Sequence, residues 1–220
     1  VTHLPVAGLL LAAGASRRLG TPKQLLRDPD GTTRVRRVAT DLLAAGLAPV
    51  FVVTGAEGDA VAAELADLPV RVVHHAGWAD GMGSSIAAGL RAIAAREPDL
   101  DALPAGVLIA ACDMPAVDAA HLARLRERFL TSGLRVASDY RDPVGAATDD
   151  ALGPAPPGGP VTVGIPAIFP DTDFDMLRSL AGERGAKSLL QSPDTVHVPL
   201  AGGGLDLDTP DDVVAWREAP

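Results

Sequence analysis

The chain has 220 residues, 47% hydrophobic but only 3% aromatic, so its core must be built from Ala, Val, Leu and Ile. That suits one α/β domain of parallel strands covered by Ala-rich helices. A net charge of −9 argues against nucleic-acid binding, the single Cys112 excludes an internal disulfide, and no stretch approaches the roughly 18 apolar residues of a membrane span.

The first element is an apolar run over 6–13, broken by Gly8, which reads as a buried strand. It ends at Gly14 and feeds a loop carrying Arg17, Arg18, Gly20, Pro22 and Lys23. Small residues let backbone approach a ligand, and clustered cations at a strand's carboxyl end suit an anion. Two standard phosphate loops fail here. Lys23 lies three residues after Gly20, which breaks the Walker spacing, and Gly14 and Gly20 are six apart with no glycine between, which breaks the dinucleotide fingerprint. Residues 1–40 hold seven cations (Arg17, Arg18, Lys23, Arg27, Arg34, Arg36 and Arg37) against Asp28 and Asp30, so a local positive field for a small anion is expected. These cations follow the apolar run, so it does not read as a secretory leader, and with one cysteine a cytoplasmic location is expected.

A helix is expected over 33–45, a strand over 49–54, a helix over 57–66 and a strand over 70–74. That alternation is the pattern of parallel crossovers. A Gly-rich loop, 75–85, then opens a helix over 84–95, with Ser84 or Ser85 as its expected cap. The most apolar strand, 106–111, is followed by Cys112, Asp113, Met114 and Pro115. A carboxylate at that point faces the crevice where ligands bind in such sheets, and magnesium on phosphate oxygens is a natural partner for it. Asp118 is the better cap for the helix over 118–130, which leaves Asp113 free. Cys112 reads as a small buried neighbour.

A short strand is expected over 134–137. The stretch 142–160 holds five prolines and four glycines and reads as a surface excursion from the single domain. Strand character returns over 161–169, followed by short helices over 173–180 and 184–191 and a strand over 195–199. The last helix follows Leu-Asp-Leu-Asp-Thr-Pro, where Thr209 or Asp208 fits a cap and Pro210 the first turn.

The opening loop, Leu-Ala-Ala-Gly-x-Ser-x-Arg-x-Gly-x-Pro-Lys-x-Leu over 11–25, resembles the signature loop of nucleotidyltransferases that activate sugars and cofactors. The later segments extend the likeness in the family's order. They are Gly81-Met82-x-x-Ser85, Asp113-Met114-Pro115, Gly164-x-Pro166, a Gly-x-x-Gly-Ala segment from Gly182 to Ala186, and Asp-x-Asp-Thr-Pro ending at Pro210. Together they resemble the MobA/MocA-type branch, which attaches a nucleotide to molybdopterin. The departures are Ala76, Ile165 and the excursion.

The resemblance implies a Rossmann-like three-layer sandwich, mostly parallel with one antiparallel strand. It places a nucleoside triphosphate on Leu11, Ala12, Ala13, Gly14, Ser16, Arg18 and Lys23, and on Gly81, Met82, Ser84 and Ser85. Arg18 and Lys23 are the expected catalytic cations, and Asp113 and Asp208 the expected Mg²⁺ ligands. Ala13 and Pro22 stand where guanylyl-transferring relatives tend to carry Gly and Asp, which favours CTP and a phosphorylated acceptor such as molybdopterin. A molybdoenzyme or chaperone partner fits this reading; nucleic acid and membrane do not. The rivals are an inactive nucleotide-binding module or assembly factor, and guanylyl or sugar-phosphate nucleotidyl transfer. An NAD-dependent oxidoreductase is set aside for want of the glycine fingerprint.

Overall fold

A computed structural model of the protein describes residues 5–95, 103–141, 162–183 and 185–218. The 142–160 excursion lies outside them. The strands are β1 (Val6–Ala12), β2 (Val50–Thr54), β3 (Val70–His74), β4 (Gly106–Ala111), β5 (Val136–Asp139), β6 (Val163–Pro170) and β7 (Val196–Pro199). They form one seven-stranded sheet in the order β3-β2-β1-β4-β6-β5-β7. β1 pairs parallel with β2 and β4, β2 with β3, and β5 with β7. Only β6 is reversed, antiparallel to both β4 and β5. The expected mostly parallel sheet with one reversed strand is the one observed.

The helices are α1 (Arg34–Ala44), α2 (Gly58–Glu64), α3 (Met82–Ala94), α4 (Ala119–Ser132), α5 (Phe174–Arg178) and α6 (Pro210–Glu218). Alternate residues of each strand point to opposite faces, so β1 splits its side chains between two cores. Leu10 packs with Val52 and Leu108 against Val38 and Leu42 of α1 and Leu122 and Leu125 of α4. Leu9 packs with Phe51 and Ile109 against Ile86, Leu90 and Ile93 of α3. Burial on both faces is why β1 and β4 read as continuous apolar runs. The sheet is therefore the middle of three layers, and the carboxyl ends of β1, β2 and β4 share one edge.

Several element bounds shift by one or two residues from the sequence expectation, and three differences change the local contacts. First, α3 begins two residues earlier than expected, and neither Ser84 nor Ser85 caps it. Gly81, with φ +106°, turns the chain there, and Ser84 Oγ instead donates to the Gly81 carbonyl at 2.7 Å and meets His75 Nε2 at 3.0 Å. A Cβ at Gly81 would also lie 2.6 Å from the Gly182 carbonyl carbon, so only glycine fits. Second, the segment expected to be helical over 184–191 is a 3₁₀ helix, Ala186–Gln191.

Third, β5 lies two residues beyond its expected place and carries the polar Ser138 and Asp139 into the interior. Ser138 Oγ donates to the Pro166 carbonyl at 2.7 Å and lies 2.8 Å from Nε2 of His121, which is fully buried. The hydroxyl proton is spent on Pro166, so His121 is the Nε2–H tautomer. Its Nδ1 faces Arg124 Nη2 at 3.4 Å. Burial, helped by the Arg124 charge, pushes the His121 pKa down from 6.5 to about 4.

As pH falls below 6.5 the unfolded chain takes a proton at this site that the native state refuses, so stability falls until about pH 4. The loss should be about 2 kcal/mol between about pH 7.5 and about pH 5. Asp41 and Asp206 are both pushed up to about 6 and act in the opposite sense, so the comparison is wild type against His121→Gln. Urea unfolding at the two pH values should show the wild type losing more stability than the variant; equal losses would show that His121 is not held neutral.

Candidate active site

β1 delivers the chain into the basic loop at the centre of the sheet edge. Two side chains fasten that loop. Ser16 Oγ accepts from the Lys23 backbone N–H at 2.9 Å, and Gln24, 2% exposed, donates through Nε2 to the carbonyls of Ala12 at 3.0 Å and Gly14 at 2.6 Å. Ser16 has φ +49°, an uncommon conformation for a residue with a Cβ and one that collects at functional loops. The result is a loop closed by its own polar groups, with Lys23 aimed back across the end of β1.

The Lys23 ammonium donates to Asp113 Oδ2 in a short contact and to Asp208 Oδ1 at 3.2 Å. Arg18 Nη2 donates to Asp208 Oδ2 at 2.6 Å from an exposed position on the rim. Burial would lower the Lys23 pKa, but Asp113 and Asp208 offset it and hold the pKa above its ordinary value. The segments behind Asp113 and Asp208 are tied directly, since the Leu207 N–H donates to the Asp113 carbonyl at 2.8 Å.

Asp208 does not cap α6. Thr209 does so, with Oγ1 accepting from the Asp212 N–H at 3.3 Å while Asp212 Oδ2 accepts from the Thr209 N–H at 2.7 Å. The Asp208 carboxylate is thereby left to face Lys23 and Arg18. Asp118 caps α4 as expected, accepting from the His121 N–H at 2.7 Å. Cys112 is buried, and that burial, with the nearby Asp113 charge, pushes its thiol up to about 12, so it is no nucleophile.

Beside this cluster opens a cavity of about 320 Å³. Among the residues expected on a nucleotide, Leu11, Ala13, Gly14, Lys23, Gly81, Met82 and Ser85 line it, together with Asp113. Ala12 does not: strand alternation turns its side chain into the core on the far face. Ser16, Arg18, Ser84 and Asp208 also lie off the lining; Ser16 braces the loop, and Ser84 braces the start of α3. Trp78 closes one side and also packs so tightly on Gly55 that a Cβ there would lie 2.6 Å away.

The expected positive field is smaller than the residue count suggests. Arg27 pairs with Glu64, Arg34 and Arg37 with Asp28, and Arg36 with Asp67. They fasten α1 and the loop before it. Only Arg17, Arg18 and Lys23 stand at the site. Two acidic residues that the sequence reading passed over stand there as well. Glu183 lines the cavity. Asp206 is pushed up to about 6 by desolvation and by the charges of Asp113 and Asp208. Glu183 sits in the Gly-x-x-Gly-Ala segment and Asp206 in Asp-x-Asp-Thr-Pro, so the motifs were the available signal for both.

Residues 8–197 match the family model of the MobA-like NTP transferase domain. The chain belongs to this family. The MobA-like chain resembles Rv0371c from Mycobacterium tuberculosis H37Rv, whose crystal structure superposes with a TM-score of 0.72 at 27% identity over 98% of this chain and 100% of that one. The crystal structure of Rv0371c in complex with manganese gives 0.71 at 26% identity over the same 98% and 100%. A nucleotidyl transferase from Methanothermobacter thermautotroptrophicus shares the fold, with a TM-score of 0.68 at 21% identity over 97% of this chain and 96% of that one. In sequence, 125 residues are 37% identical to nicotine blue oxidoreductase of Paenarthrobacter nicotinovorans, a match covering 56% of this chain and 57% of that protein. The chain thus spans little more than half of that relative's length.

Residues 8–197 of the chain thus form a MobA-like NTP transferase domain. Among the described residues no helix is long and apolar enough to cross a membrane. Nor do three or more His, Cys, Asp or Glu side chains gather among them into a cage for a metal ion. The pair Asp113 and Asp208 nevertheless already holds a cation, the Lys23 ammonium, between its oxygens. Two carboxylates completed by water and phosphate oxygens are a donor set that fits Mg²⁺ or Mn²⁺.

Proposed function

We propose that this chain transfers a nucleotidyl group, CMP from CTP by preference, to a phosphorylated acceptor of the molybdopterin type, with release of pyrophosphate. The observation that carries the reading is the convergence of Lys23, Asp113 and Asp208, three residues far apart in sequence, beside a cavity floored by the β1 loop. The triphosphate lies along that loop, with Lys23 and Arg18 offsetting its charge. An acceptor phosphate oxygen attacks the α-phosphorus in line; the bond to the bridging oxygen breaks, and that oxygen leaves on pyrophosphate. Asp113 and Asp208 would hold a divalent cation, Mg²⁺ or Mn²⁺, which supplies charge neutralisation at the phosphates. Support for the metal comes from the manganese complex of Rv0371c and from the donor set here. Positioning and neutralisation do most of the work in phosphoryl transfer. A phosphate monoester has its second pKa at about 6, so the acceptor is already ionised and no general base is needed.

The deciding assay is pyrophosphate release with CTP, GTP, ATP and UTP against a molybdopterin-type acceptor. CTP with Mg²⁺ should also raise the melting temperature more than GTP does, because a ligand that binds only the folded state stabilises it. A larger shift with GTP would overturn the cytidylyl assignment and leave nucleotidyl transfer standing. A second reading is favoured by the 37% identity to nicotine blue oxidoreductase: hydride transfer between a nicotinamide dinucleotide and a substrate related to nicotine blue, the one oxidised as the other is reduced. The missing glycine fingerprint rules out only one way of holding a dinucleotide, so this reading needs its own measurement. Substrate reduction without pyrophosphate release from any triphosphate would establish it over the first.

A further inference from the structure

Arg34 opens α1, yet it is only 3% exposed. An apolar residue would fill that place at less cost, since a buried guanidinium must be repaid by partners. Its partners are informative. Nε donates to the Cys112 carbonyl at 3.3 Å and Nη2 to the Met114 carbonyl at 3.1 Å. The fork thus takes the carbonyls on either side of Asp113, in the turn that follows β4. Nη1 donates to Asp28 at 3.1 Å, on the strand of chain that leads away from Lys23. The guanidinium carbon also lies 5.7 Å from the ring centroid of Trp216 on α6, the helix that Asp208 precedes. One side chain therefore touches the three segments that carry Lys23, Asp113 and Asp208.

We propose that Arg34 is a positioning residue of this site, clamping the backbone on both sides of Asp113 so that its carboxylate is held where it meets Asp208 and the nucleotide phosphates. The inference rests on the nucleotidyl-transfer reading. Arg34 touches no substrate; it acts through Asp113. Its planar fork is what the task requires, because two carbonyls separated by one residue need two diverging donors, and a lysine offers a point charge instead. Groups behind a metal ligand commonly change metal affinity or activity by about 10- to 100-fold when replaced.

The test uses the whole chain and three variants. Arg34→Lys keeps the charge beside Asp28 and loses the fork. Arg34→Met with Asp28→Asn removes the buried ion pair together, so no carboxylate is stranded and Arg37 keeps Asp30 as partner. Arg36→Met, on the same helix but paired outward with Asp67, is the control for charge and helix effects. Binding of Mn²⁺ alone is read by electron paramagnetic resonance on protein shown to be folded by circular dichroism, and kcat and KM are read from pyrophosphate release. Both Arg34 variants should bind Mn²⁺ about 10- to 100-fold more weakly and lose kcat by a similar factor, with KM for CTP little changed. Arg36→Met should match the wild type. Folded Arg34 variants with wild-type Mn²⁺ affinity and kcat, and only a lower melting temperature, would reduce Arg34 to a structural residue while leaving nucleotidyl transfer intact. A wild type that neither binds Mn²⁺ nor releases pyrophosphate overturns the functional reading and this role with it.

Discussion

Asp113→Asn should abolish measurable turnover and Asp208→Asn should lower kcat by about two orders of magnitude or more, because on the proposed mechanism each loses a metal contact that supplies several kcal/mol of transition-state stabilisation. Both variants should stay folded. Each leaves Lys23 with its other carboxylate, and Asp208 makes no cap that asparagine would have to replace, since Thr209 and Asp212 close that helix between them. The larger effect is expected at Asp113 because it is the more enclosed carboxylate, its side chain 17% exposed against 32% for Asp208, and because it lines the cavity. Initial rates of pyrophosphate release, with circular dichroism as the control for folding, measure both. Near-normal turnover in Asp208→Asn would remove that residue from the site. Wild-type turnover undiminished by EDTA would remove the metal.

What the sequence made legible is what local pattern can carry. The apolar runs of β1 and β4 mark strands buried on both faces, and β3 and β4 fall where the pattern puts them. The reversed strand came from the family resemblance, since nothing in 161–169 announces its direction. The motifs named part of the cavity lining, among it Leu11, Ala13, Gly14, Lys23, Gly81, Met82, Ser85 and Asp113, but no spacing could show which side of β1 each residue would face. Ala12 therefore sits in the core while its neighbours Leu11 and Ala13 line the cavity.

The misreadings share one cause. Arg34, Arg36 and Arg37 counted as part of a basic cluster because they are near Lys23 in sequence. Helix α1 carries them to carboxylates instead, and those partners are fixed by tertiary packing. Gln24 and Ser138 are polar residues whose burial is tolerable only because backbone carbonyls wait for them, which no residue count reveals. Ser84 looked like a cap because serine before a helix usually is one; Gly81 starts the helix earlier and turns that hydroxyl to a different task.

Lys23→Met is the variant that separates the two jobs this lysine holds. In the wild type its ammonium lies between Asp113 and Asp208 and its side chain is 23% exposed. Replacing it leaves two partly enclosed carboxylates facing each other, with Arg18 on the rim as the remaining partner for Asp208. Removing one member of an enclosed charge group is destabilising, by about 2 kcal/mol here once partial exposure is allowed for. The like charges should also make the pair a better cation site. The variant should therefore melt lower than the wild type in EDTA, regain most of that loss in Mg²⁺ or Mn²⁺, and bind Mn²⁺ more tightly because no ammonium competes for the oxygens. Its turnover should nevertheless fall by about two to three orders of magnitude if Lys23 has the proposed role of offsetting the charge on the triphosphate, which the metal alone would not replace. Tighter Mn²⁺ binding with lost turnover would show that Lys23 acts on the phosphates. Unchanged turnover would show that the ammonium only fills the gap between the two carboxylates, and the catalytic assignment would then pass to Arg18, whose Nη2 already reaches Asp208 at 2.6 Å.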